Sequence, residues 1–139
     1  MKATLLYRIA AVLLFIFAAG HTVGFLKFKP STAEGVAVRD AMDKVHFPLG
    51  SSTFSYGGFY RGFGLFATIY LLFAAFLAWH LGSMAQTVPQ SIAILAWAFF
   101  ALQLASLVLC WLYFLAPPII LSALLSICTG LAAWILKNG

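Results

Sequence analysis

Four long apolar stretches, roughly 5–26, 59–81, 91–114 and 118–136, leave this chain few ways to fold. Each matches the run of about 20 apolar residues that a helix needs to cross a hydrocarbon core of about 30 Å. In lipid no water is at hand for backbone N–H and C=O groups, so a spanning segment must satisfy them internally, as a helix does. The expected fold is an all-α, four-helix transmembrane bundle, one polytopic domain over residues 1–139. Composition agrees, at 64% hydrophobic and 8% charged residues, where a soluble domain has about 45–50% and about 25%. Too few charged side chains exist to cover such a core in water.

The first stretch has a second interpretation. Lys2, the apolar run from Leu5 to Phe17 and Ala18-Ala19-Gly20 also suit a cleavable signal peptide. We expect a retained first span. The connection from Gly82 to Gln90 is uncharged and holds Pro89, which suits a helix start. Ala116-Pro117-Pro118 should break the third helix, because proline lacks an N–H and clashes with the preceding turn. A tight hairpin between antiparallel spans three and four follows.

Residues 27–58 differ in kind. They hold all three acids (Glu34, Asp40, Asp43) and four of the eight basic residues (Lys27, Lys29, Arg39, Lys44). Ser31 and Glu34 stand at capping-box spacing, and Val38, Met42 and Val45 form one apolar stripe. An amphipathic helix over about 32–46 should lie on the membrane surface or over the bundle, ended by Pro48 and Gly50-Ser51-Ser52.

The net charge of +5 comes from singly scattered basic residues that flank spans. That pattern suits lipid headgroups and gives no basic run or patch for nucleic acid. Lys27, Lys29, Arg39, Lys44 and Arg61 lie on the loop side, against Lys2, Arg8 and Lys137 on the other, which leaves orientation open. Trp79, Trp134 and Tyr7 are expected at one interface and Tyr60, Trp111 and Tyr113 at the other, as an aromatic belt. Cys110 and Cys128 fall within spans and read as small packing residues. The expected host is a bacterial inner membrane.

Small residues mark helix contacts in lipid, where hydrophobic drive between helices is weak. Gly20 with Gly24, and Gly58 with Gly62, form two G-x-x-x-G steps that could face each other. Spans three and four carry a polar seam of Gln103, Ser106 and Cys110 against Ser122, Ser126 and Thr129. Counting from the proline turn puts Gln103 level with Thr129, and Ser106 level with Ser126, so hydrogen bonds across the seam are expected. A polar ligand site around Gln103, Ser106 and Thr129 is the alternative use of the same residues.

Chemistry concentrates at the loop-side end of spans one and two. His21 lies inside span one, Tyr60 and Arg61 enter span two, and the loop helix brings Glu34, Arg39, Asp40, Asp43 and His46. Ionisable groups in a membrane segment are costly and call for a named partner, here Arg61 with Asp40 or Asp43. Three uses compete. Arg61 and an acid dock the loop helix while His21 bonds a backbone carbonyl. Alternatively, His21 and His46 hold zinc or copper with a carboxylate, although no H-x-x-H spacing supports it. In the third, His21 does acid–base work on a lipophilic substrate held between the glycine faces, and Tyr60 is a candidate ligand-binding residue. His80 falls at the opposite end of span two and reads as an interfacial anchor.

No cofactor is expected. The partners expected are membrane lipids, other membrane subunits or further copies of the chain. The leading functional expectation is a non-catalytic accessory or packing subunit, or a lipid-binding protein. A membrane enzyme acting on a lipid, sterol-like or quinone substrate through His21, Arg61 and the loop carboxylates comes second. A transporter comes third, because four spans without a buried charge would need an oligomer to build a pathway.

Overall fold

The computed structural model describes residues 2–138. In chain order they form α1 (Lys2–Lys27), α2 (Ala33–Lys44), β1 (His46–Leu49), β2 (Ser52–Ser55), α3 (Tyr56–Thr87), α4 (Ala93–Tyr113) and α5 (Ala116–Asn138). The helices α1, α3, α4 and α5 are each long and apolar enough to cross a membrane, and the short α2 lies between the first two. By that measure the chain is an integral membrane protein.

The spans are longer than their apolar cores. At 32 residues, α3 measures about 48 Å at 1.5 Å per residue. It exceeds a hydrocarbon core of about 30 Å, and tilt or protruding ends must absorb the excess. α1 passes unbroken through Ala18-Ala19-Gly20 to Lys27. The break between α4 and α5 falls earlier than expected, at Phe114 and Leu115, with Phe114 extended (φ −127°, ψ 172°). Pro117 and Pro118 therefore sit in the first turn of α5, where their missing N–H groups had no intrahelical partner to lose.

The loop corrects two details. The cap of α2 is Thr32, not Ser31: Thr32 is extended and its Oγ1 accepts from the Gly35 N–H at 3.1 Å. α2 ends at Lys44, so His46 lies in a strand and not on the helix. The residues expected only to stop that helix fold into an antiparallel hairpin pairing Phe47 with Phe54 and Leu49 with Ser52. Its two-residue turn is Gly50-Ser51. Only Gly50 there has positive φ (63°), which is the type II′ arrangement whose twist suits a hairpin.

The chain divides into two compact units, Met1–Ala18 with Leu71–Gly139, and Ala19–Tyr70. Within the first unit the core is rich in alanine: Ala10, Ala78, Ala96, Ala132 and Ala133 are all buried, around Tyr7, Leu14, Leu81 and Leu125. Alanine gives the close helix approach that glycine was expected to supply, without glycine's backbone entropy cost. α4 and α5 pack along their length, with Phe100 against Gly130. Tyr7 is fully buried, because Gly82 lets α3 close over it. A Cβ on Gly82 would stand 3.3 Å from the Tyr7 Cβ and from the Thr4 carbonyl oxygen.

The G-x-x-x-G expectation also fails within the chain. A Cβ on Gly20, Gly24 or Gly62 would meet nothing within 4 Å, and on Gly58 only the nearby Ser55 hydroxyl. The glycines under close contact in the second unit include Gly64, beneath the Phe25 ring, Gly57, against the Asp43 carboxylate, and Gly35, against Pro30.

Candidate functional site

Within the second unit, the end of α1, the start of α3 and α2 bring several of the sequence candidates together. Arg61 donates from Nη1 to Asp43 Oδ1 at 2.7 Å. Among the described residues Asp40 forms no ion pair. Asp43 is three residues nearer the C-terminus of α2 than Asp40, so it meets the Gly57 backbone where a side chain would have blocked it. Arg39 donates to the Phe28 carbonyl at 2.8 Å and ties α2 to the segment leaving α1.

His21 is held from two sides. Its Nε2 lies 3.0 Å from the Gly64 carbonyl oxygen, and since a carbonyl only accepts, Nε2 carries the proton. Its ring stacks on Phe25 with centroids 5.8 Å apart and planes 8° from parallel. Phe25 in turn packs on Tyr60 at 5.4 Å. One turn further along, the Thr22 and Thr68 hydroxyls meet at 2.9 Å. His46 is elsewhere: its Nδ1–H donates to the Lys44 carbonyl at 2.7 Å, in the hairpin. The two histidines that the metal alternative would bring together thus have separate carbonyl partners. Among the described residues no three of His, Cys, Asp and Glu gather as a metal site would need.

Beneath α2 lies a cavity of about 500 Å³. Phe25, Phe28, Val38, Met42 and Tyr60 give it apolar walls, and Arg39, Asp43 and Arg61 are its charged lining residues. His21 does not line it; Phe25, on which His21 stacks, does. The hairpin is anchored beside this region by aromatic contacts of Phe47 with Tyr56 (4.7 Å) and Phe59 (5.7 Å).

In the first unit the polar seam is present but bonded differently from expectation. Gln103, Ser122, Ser126 and Thr129 are buried. Ser106 donates to the Leu102 carbonyl, Ser126 to Ser122 and Thr129 to Leu125, each one turn back on its own helix. Such bonds satisfy a hydroxyl locally when no better partner faces it. The bond that crosses between the helices is from Ser122 Oγ to Cys110 Sγ, at 3.3 Å. Both cysteines are free thiols.

Sequence reasoning missed Phe25, Gly64 and Gly57. Phe25 is one apolar residue among many, and the two glycines lie within a run whose G-x-x-x-G spacing drew attention to their neighbours. The Gly64-to-Thr68 interval, with the Thr68 hydroxyl 3.4 Å from the Gly64 carbonyl, was the available signal. No protein-family model matches this chain, nor does any curated protein or solved structure.

Proposed function

We propose that this chain is a non-catalytic membrane protein that binds the apolar part of a lipid, or of a similar amphiphile, beneath α2. The observation that carries the proposal is the cavity, whose apolar walls adjoin Arg39, Asp43 and Arg61. Binding pockets of several hundred Å³ with mostly apolar walls and a few placed polar groups are the usual form of small-molecule sites. Arg61 spends one nitrogen on Asp43 and Arg39 one on Phe28, so both guanidinium groups keep further donors for a headgroup. An enzyme working through His21 is less well supported, because His21 is bonded to Gly64 and stands behind Phe25. Helical spans fit a bacterial inner membrane as host, since outer-membrane proteins are barrels.

The test is mass spectrometry of the intact protein after gentle extraction from its own membrane. Wild type should retain a lipid-sized mass that Met42→Trp, which fills the cavity, loses. A His21→Ala variant that still folds should keep it. Retention of the same mass by Met42→Trp would sink the proposal.

A further inference from the structure

The hairpin of β1 and β2 has two unlike faces. Side chains alternate along a strand, so Phe47 and Leu49 share a face with Phe54 and Ser52, their partners on β2. The opposite face carries His46 and Pro48 beside Ser55 and Thr53. The Phe47 and Phe54 rings meet on the apolar side, with centroids 6.4 Å apart. From there a chain of rings continues onto α3. Phe47 meets Phe59 edge-on at 5.7 Å, and Phe59 meets Phe63 at 4.8 Å. Leu49, Phe54, Phe59 and Phe63 are nonetheless exposed, and so are Phe66 and Tyr70, which follow at helical spacing. The apolar face of the hairpin is thus continuous with the apolar surface of a span.

Arg61 gives the depth. A charged group in hydrocarbon is costly, so Arg61 and its partner Asp43 mark where α3 enters the headgroups. Phe47 rests on Phe59 and Tyr56. These precede Arg61 by two and five residues, or about 3 and 8 Å at 1.5 Å per residue. The headgroup layer is about 5–7 Å thick on each side of the hydrocarbon core, so the hairpin falls within it. A two-stranded sheet has two open edges, whose N–H and C=O groups need water or headgroups and keep it out of hydrocarbon. Standing in water, its aromatic face would leave a contiguous apolar patch uncovered. The headgroup–acyl boundary meets both demands. Pro48 has no N–H to offer an added strand, which weighs against pairing of β1 with another chain.

We propose that the hairpin is an interfacial anchor, with Phe54 and Leu49 against phospholipid acyl chains and Thr53 toward water. None of these three lines the cavity beneath α2, and the anchor does not rest on that reading.

The experiment replaces Phe54, Leu49 or Thr53 singly with the photoreactive analogue p-benzoylphenylalanine, in the full chain in phosphatidylcholine vesicles. Irradiation joins the probe to a neighbouring C–H bond, and mass spectrometry identifies the adduct. The probe in place of Phe54 should gain the mass of one phosphatidylcholine. In place of Thr53, on the opposite face, it should gain lipid several-fold less often. The probe in place of Leu49 should also gain lipid, and it decides the matter if the Phe54 replacement does not fold. Equal lipid yields on the two faces would overturn the proposal. Absence of lipid adducts at both Leu49 and Phe54 would do so too, since the hairpin would then stand in water. An adduct to a second copy of the chain, or to another protein in native membranes, in place of lipid would assign the face to that partner and overturn the anchor.

Discussion

The ring of Phe25 occupies the space that any side chain at residue 64 would need, so Gly64 is what lets Phe25 lie against α3. The same glycine offers its carbonyl to His21, which stacks on the Phe25 ring. One residue without a side chain thus fixes the ring that walls the cavity and the histidine behind it.

Adding a methyl group at Gly64 should therefore cost more than a helix gains from alanine. The ring is confined by His21 and Tyr60, so it cannot swing aside freely. Gly64→Ala should destabilise the protein by about 1–3 kcal/mol, the usual range for overpacking. Unfolding in mixed detergent micelles would measure it, and a stability equal to or above wild type would contradict the confinement.

The Arg61–Asp43 pair is about half exposed on both sides, 51% and 43%. Exposed pairs contribute about 0–1 kcal/mol, so Arg61→Gln or Asp43→Asn should change global stability little. The effect should be local, with faster amide exchange in α2, whose other tie to α1's end is Arg39 on the Phe28 carbonyl. Gly57→Ala should act on the same contact, because its Cβ would displace the Asp43 carboxylate. Gly57→Ala and Asp43→Asn should then be non-additive in α2 exchange rates, as changes at one contact are.

The spans were legible because membrane insertion is a property of composition over about 20 residues, and no packing detail can override it. The loop helix was legible from its stripe of Val38, Met42 and Val45, two of which do line the cavity. The hairpin after it carried its own signal, a Gly-Ser pair between Phe47 and Phe54, but Pro48 and the glycine suggested only a stop. Contacts were harder to read. Whether a glycine meets a neighbour depends on helix rotation, which one sequence does not specify when nearly every position is apolar. That is why Gly64 and Gly82 make the close approaches while Gly20, Gly24 and Gly62 do not. The choice of Asp43 over Asp40 was likewise a matter of which turn of α2 faces α3.

The seam hydroxyls in α4 and α5 should be nearly dispensable. Ser126 and Thr129 bond to carbonyls of their own helix, so no interhelical bond is lost when they go. Ser126→Ala and Thr129→Val should each cost no more than about 0.6 kcal/mol, the average of a polar contact between membrane helices. Ser122→Ala, which removes the bond to Cys110, should cost at least as much as either. Unfolding midpoints of the three variants decide it, and a Thr129→Val loss well above the Ser122→Ala loss would mean that Thr129 serves a partner outside its helix.

Gly20, Gly24 and Gly62 give the opposite expectation from Gly64. Space is open at each, and each lies within α1 or α3. Alanine removes backbone entropy from the unfolded chain and favours helix by about 0.5–1 kcal/mol over glycine. Each single Gly→Ala change should therefore leave stability unchanged or raise it by up to about that amount. The same substitutions test whether these open faces meet another protein. If they dock a second copy or a different subunit at a contact too close for a Cβ, alanine would hold the backbones apart. Crosslinking in native membranes, compared between wild type and Gly20→Ala/Gly24→Ala, separates the two cases. Unchanged crosslinks with unchanged or higher stability mean that these glycines face lipid. Loss of a crosslinked species at preserved stability means that they face a partner.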